Sequence, residues 1–261
     1  MPNGKATRLS RLLREGRMLC VPIDHGVSVG PIRGLEEPQR LVQQLERGGA
    51  TALLAHKGIL RSLARPPRLG LILHVSASTM LSSAPNWKVR VSSVREALRL
   101  GVDALSVHVN IGTKEEPLML EKLGLVAEQC DAWQLPLIAM MYPRGENIKD
   151  PHDPAVVAHV ARVGAELGAD IVKTVYTGDP DSFRAVVRGC PVPVVIAGGP
   201  RAESDKEVLE MAAGAMRAGA AGVAFGRNVF QHENPLGMIR ALADVVLRRR
   251  PVEQALRRLA A

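Results

Sequence analysis

Short apolar runs recur along the chain, each followed by a longer stretch in which apolar residues return every three or four positions. The runs lie at 18–23 (MLCVPI), 51–55 (TALLA), 70–75 (GLILHV), 103–109 (DALSVHV), 136–142 (PLIAMMY), 169–174 (ADIVKT), 192–197 (VPVVIA) and 221–225 (AGVAF). Runs of this kind fit strands buried on both faces, as in a parallel sheet. The stretches between them, such as 154–167 (PAVVAHVARVGAEL) and 204–218 (SDKEVLEMAAGAMRA), predict amphipathic helices. Four helices end in a glycine phrase, ERGGATAL, RLGVDAL, ELGADIV and RAGAAGV. Glycine there relieves a left-handed C-cap, and the next strand follows after about two residues.

Strand–helix alternation dictates a parallel sheet with right-handed crossovers. Eight such units in 261 residues fit a closed α/β structure, the (β/α)8 TIM barrel. An open doubly wound sheet would place a Gly-x-Gly-x-x-Gly turn after its first strand, whereas this strand runs into DHGVSVGP. Residues 1–261 are therefore expected to form a single barrel domain, with an additional N-terminal helix near residues 5–15 closing its base.

Composition refines this picture. Residues are 46% apolar but only 3% aromatic, so the core must be built mainly from Ala, Val, Leu and Ile. A net charge of +8 raises nucleic-acid binding, yet residues 1–17 carry +4 and residues 244–261 carry +3, leaving +1 between them. Both ends show helical apolar stripes, so the charges are expected on solvated helix faces and no nucleic-acid partner is inferred. Cys20, Cys130 and Cys190 are far apart and odd in number, which predicts free buried thiols. No apolar run approaches the roughly 20 residues of a membrane span, and the first residues lack a secretory apolar centre. The expectation is a cytoplasmic protein without a membrane partner.

In a barrel of this type, chemistry gathers where the strands end. Asp24 and His25 follow the first run, His56 and Lys57 the second, and His74 ends the third. Ser106, His108 and Asn110 lie on or after the fourth, Met140 and Tyr142 on the fifth, and Lys173 on the sixth. The last two runs lead into AGGP and FGRN. Gly198, Gly199 and Gly226 permit close backbone approach there, Arg227 adds a charged fork, and together they form a candidate phosphate site.

Lys173 is the least expected residue in an apolar strand. Alternation places it on one face with Ile171, and an inward position would put its amine in the mouth. Desolvation and nearby positive charge would lower its pKa and create a nucleophile able to attack a carbonyl; a lysine reaching the rim or pairing with a carboxylate is the structural alternative. Tyr142 could deliver protons during imine formation, and Asp24 could move a proton at a substrate hydroxyl or else cap a turn. His25, Lys57, His108, Met140 and Arg144 are candidate substrate contacts. The histidines at strand ends admit a metal site, but no His-x-His pair ends the first strand and acidic ligands are sparse, so neither a metal nor a cofactor is inferred.

VPIDHGVSVGPIRGL, MMYPRG, DIVKTVYTGD, VIAGGP and FGRNVFQ together resemble the archaeal-type class I aldolase family over roughly residues 18–247. The resemblance implies that Lys173 is the Schiff-base lysine, Tyr142 the proton donor and Asp24 the acid/base, with phosphate on the two glycine loops. AMMYPRG and DIVKTVYTGD are closer to the heptulosonate synthase branch, and the fructose-bisphosphate aldolases typically carry Trp where this chain has Met140. The implied reaction joins an enamine derived from a ketose phosphate, or from dihydroxyacetone phosphate, to an aldehyde such as L-aspartate 4-semialdehyde. Implied partners are small phosphosugar and aldehyde substrates and further copies of the chain in a homo-oligomer. Fructose-bisphosphate cleavage and non-covalent phosphosugar binding are the alternative functions.

Overall fold

The computed structural model describes residues 4–260. Its ten strands are β1 (Met18–Pro22), β2 (Ala52–Ala55), β3 (Gly70–His74), β4 (Ser76–Ala77), β5 (Val89–Arg90), β6 (Ala104–Ile111), β7 (Leu137–Pro143), β8 (Ile171–Thr174), β9 (Val194–Ala197) and β10 (Gly222–Ala224). Eight of them close a parallel barrel in the order β1-β10-β9-β8-β7-β6-β3-β2. These eight correspond to the apolar runs. The pair β4 and β5 forms a short antiparallel ribbon above β3 that the apolar pattern does not announce.

Alternation along each strand separates two cores. Cys20, Leu54, Ile72, Met140, Ile171 and Val195 point into the barrel. Leu19, Leu53, Leu73, Val172, Ile196 and Val223 face the surrounding helices. Each strand therefore buries both faces, which is why its sequence reads as an unbroken apolar run.

Helix α1 (Gly4–Leu12) lies under the barrel, where Leu9, Leu12 and Leu13 pack on the inward cluster. Ion pairs fix it to residues just before two strands: Lys5 Nζ is 3.1 Å from Asp170 and Arg11 Nη1 is 3.0 Å from Asp103.

The wall of helices comprises α2 (His25–Val29), α3 (Pro38–Gly48), α4 (Lys57–Ser62), α5 (Val94–Arg99), α6 (Glu116–Ala132), α7 (Pro154–Glu166), α8 (Pro180–Gly189) and α9 (Asp205–Arg217). The short α10 (Arg227–Phe230), then α11 (Pro235–Val246) and α12 (Val252–Ala260), complete it. Ser93, Asp153, Asp179, Ser204 and Asn234 start five helices by accepting hydrogen bonds from backbone N–H groups of the first turn.

The basic C-terminal arginines are exposed, as expected, yet three of them also converge on one buried carboxylate. Asp244 is fully buried and accepts hydrogen bonds from Arg248 (2.6 Å), Arg258 (3.1 Å) and Arg250 (3.4 Å), so three of those arginines tie α11 to the chain end. The three cysteines are free and buried, as expected. No helix among the described residues is long and apolar enough to cross a membrane.

Candidate active site

At the C-terminal ends of the strands lies a cavity of about 360 Å³. A larger groove of about 1120 Å³ runs along the barrel wall beside Tyr176, Met211, Arg217 and Pro251, away from the strand ends. The smaller cavity holds the residues that the strand pattern brings together.

Lys173 projects inward from β8, only 6% exposed, and pairs in register with Met140 of β7. Tyr142 lies two residues farther along that strand and lines the same cavity as Lys173. Burial pulls the ammonium pKa down, but the negative charge available on Tyr142, Asp24 and Cys20 outweighs burial, and the net direction is upward. This corrects the expected depression, because acidic groups, not cations, surround the amine. Burial pushes the Cys20 thiol up to about 12, which leaves Asp24 as the carboxylate facing Lys173 at neutral pH. The resting lysine is an ammonium that must pass on a proton before it attacks a carbonyl.

Asp24 occupies the N-cap position of α2 but makes no capping bond through its side chain. Its oxygens instead lie 3.6 Å from His25 Nδ1 and 3.8 Å from His74 Nε2. Burial opposes ionisation, yet His74, His25, Lys173 and His56 together hold the carboxyl below its usual range. Burial drives His74 down to about 3 and also lowers His25, His56 and His108, so near neutral pH the imidazoles are uncharged and, of the groups acting on Asp24, Lys173 is the one that carries charge. A carboxylate opposite Nε2 selects the tautomer with its proton there, and His74 Nδ1 then accepts from Ser106 Oγ at 2.6 Å.

The rings form a ladder across neighbouring strands. His56 and His74 centroids are 5.1 Å apart, His74 and His108 6.4 Å, and His108 and Tyr142 4.9 Å. Arg144 lies 5.4 Å above the Tyr142 ring. Rings stacked in this way shape a wall and orient the phenol.

On the opposite side, the β9 and β10 loops meet. Arg227 Nη2 donates to Gly199 O at 2.8 Å, and Asn228 Nδ2 donates to Gly198 O at 2.9 Å while its Oδ1 accepts from Ala202 N. Arg227 Nε is buried without a partner. A Cβ on Gly226 would stand 2.6 Å from His25 Cε1 and 2.9 Å from Pro22 O, so the chain can pass here only as glycine. These loops can present N–H groups and one guanidinium to an anion.

Asp24, His25, His108, Met140, Tyr142, Arg144, Lys173, Gly198, Gly199, Gly226 and Arg227 all line this cavity. Lys57 does not. It begins α4, and its ammonium turns outward to Val91 O (2.8 Å) and Glu96 Oε2 (3.2 Å). That departure corrects its expected role as a substrate contact, because the helix start turns the residue after His56 away from the barrel axis. Sequence reasoning missed Lys88, gave Asn228 no role of its own, and read His56 and His74 only as core or substrate-contacting histidines. Asn228 follows the FGR phrase directly, whereas Lys88 lies in a loop with no local signature.

The model of the DeoC/LacD family aldolases matches residues 18–232. The 2-amino-4,5-dihydroxy-6-oxo-7-(phosphonooxy)heptanoate synthase of Streptomyces griseus is 44% identical over 94% of this chain and 91% of its own length. The 2-amino-3,7-dideoxy-D-threo-hept-6-ulosonate synthase 1 of Archaeoglobus fulgidus is 43% identical over 93% of this chain and 91% of its own. An archaeal fructose-1,6-bisphosphate aldolase, solved with its catalytic lysine covalently bound to the carbinolamine intermediate, superposes with a TM-score of 0.87 at 30% identity, covering 94% of this chain and 99% of that one. The chain thus belongs to the DeoC/LacD family of aldolases, an enzyme of the Schiff-base class.

Proposed function

We propose that this enzyme joins an enamine, formed at Lys173 from a ketone or ketose phosphate, to the aldehyde of L-aspartate 4-semialdehyde. The observation that carries the reading is the buried Lys173 ammonium, which shares the cavity in the barrel mouth with Tyr142 and Asp24. The Streptomyces relative's product supports the substrate pair. Its 6-ketone and 4-hydroxyl mark an aldol bond between C4 and C5, and cleavage there yields a three-carbon ketone phosphate and a four-carbon amino-acid aldehyde.

Lys173 first gives up its ammonium proton to water at the mouth, and the amine adds to the ketone carbon. Tyr142 protonates the carbinolamine oxygen, water leaves, and an iminium forms. With a ketose donor, Asp24 accepts the hydroxyl proton as the carbon–carbon bond breaks, the first aldehyde departs and the bonding pair remains as the enamine. With a three-carbon ketone, Asp24 takes the α proton and the same enamine forms. Its carbon attacks the second aldehyde, protonated Asp24 returns its proton to the new alkoxide, and water hydrolyses the imine. The β9 and β10 loops hold the phosphate throughout and fix the distance from phosphorus to the reacting carbonyl.

Borohydride reduction with dihydroxyacetone phosphate or a ketose phosphate should leave one stable adduct, located by mass spectrometry on the peptide containing Lys173. An unmodified peptide in a preparation that turns over would refute the assignment.

A further inference from the structure

Lys88 sits diametrically across the mouth from the phosphate loops. The barrel order places β9 and β10 four positions from β6 and β3, and Lys88 rises from the loop leading into β5 above that far pair. It is 9% exposed and lines the cavity. Its ammonium contacts Ser78 Oγ, and among the described residues no carboxylate lies within ion-pair distance of it.

The loop is built to hold it there. Lys122 from α6 donates to the carbonyls of Lys88 and His108, Asn110 Nδ2 donates to Asn86 O at 2.7 Å, and Ser78 Oγ donates to Pro85 O at 2.6 Å. Three side chains thus fix the backbone on either side of a lysine whose charge has no internal partner. Burial and the nearby Arg144 both disfavour the ammonium, and Asp24 only partly offsets them. Asp24 is the one acidic residue lining the cavity, against Lys88, Arg144, Lys173 and Arg227. An anion entering beside Lys88 would relieve this imbalance.

We infer that Lys88 is a specificity-determining residue that binds the carboxylate of the aldehyde substrate, at the end of the cavity opposite the phosphate. This rests on the proposed condensation, in which the donor's phosphate occupies the β9 and β10 loops and the acceptor lies across the reacting carbons. The acceptor's charged end then falls under the β4–β5 ribbon, and Lys88 is the cation held there.

The test compares L-aspartate 4-semialdehyde with the same aldehyde bearing a carboxamide, using dihydroxyacetone phosphate as donor. Wild-type enzyme should favour the carboxylate in acceptor kcat/KM by about 10- to 100-fold, the worth of a hydrogen bond to a charged group. Lys88→Gln should abolish that preference and Lys88→Arg should restore part of it. Borohydride trapping with the donor alone should be unchanged in Lys88→Gln, which also shows that the variant is folded. Equal losses for both aldehydes, or a preference that survives in Lys88→Gln, would overturn the inference. Glyceraldehyde 3-phosphate supplies the other anionic end: if Lys88→Gln impairs only this aldehyde, the carboxylate assignment is wrong. A wild-type preference without any trapped adduct would refute the imine and leave the role of Lys88 intact.

Discussion

The two ends of the cavity are built by different means, and in the proposed reading each receives an anion. At β9 and β10 the chain itself forms the surface: glycines let the backbone approach, and Arg227 is braced on Gly199 O. At β3 and β6 a side chain is brought in on a loop, and that loop is fixed by Lys122, Asn110 and Ser78. Backbone recognition is sensitive to added volume and tolerant of lost charge. Side-chain recognition has the opposite weakness. Between them stand Lys173, Tyr142 and Asp24, whose proposed chemistry requires both ends to be occupied in register.

The largest effect should come from the centre. Tyr142→Phe removes one oxygen and should slow turnover by about 10²–10⁴-fold, with little change in the binding of either substrate in steady-state titrations. A loss expressed instead in acceptor KM would make Tyr142 part of the far end. Gly226→Ala probes the backbone end: the new methyl meets Pro22 O, which belongs to β1 and cannot swing aside. Donor kcat/KM should fall about 10- to 100-fold, corresponding to a misfit of about 1–3 kcal/mol, while circular dichroism stays native. Arg227→Ala takes a charge and the brace on Gly199 O from the same end and, because the backbone N–H groups remain, should cost about 3- to 10-fold in donor KM, less than the full worth of a charged hydrogen bond. A loss exceeding that of Gly226→Ala would reverse the contrast between volume and charge.

The smallest rate effect, and a distinct pH signature, belongs to Lys122. Burial lowers its pKa to about 7, with a further push from Lys88. Between that value and about 10.4, its unfolded value, the unfolded chain binds more protons than the native one, so stability rises with pH across the window and levels off above it. Lys122→Met should flatten this rise, on the order of 1 kcal/mol per pH unit at its steepest, in denaturation midpoints measured from pH 7 to 10. The same substitution loosens the loop that carries Lys88 and should raise acceptor KM only a few-fold, by roughly the worth of a neutral hydrogen bond.

The difference between the ends also governs what could be read from the sequence. The place of Gly198, Gly199, Gly226 and Arg227 on the cavity was legible because they follow one another at strand ends, and that of Lys173 because an ammonium interrupts an apolar alternation. Lys88 was not legible: its position depends on a two-residue ribbon pairing Ser76 with Arg90 and on a lysine reaching over from α6. Lys57 was misread because proximity to a strand end does not fix direction once a helix begins at that residue. The upward pKa of Lys173 likewise depends on Asp24, Tyr142 and Cys20 converging from three other points in the chain.

Helix α1 has a consequence for traffic. With Leu9, Leu12 and Leu13 packed on the cluster of Met18, Ile72 and Ala104, the floor is apolar and closed. The proposed cycle expels one water when the iminium forms and consumes one when it is hydrolysed. Both must cross the mouth that the substrates themselves occupy. A seated acceptor therefore acts as a stopper: while it is bound, the enamine is shielded from the solvent that would quench it, and departure of the product readmits the water that frees Lys173.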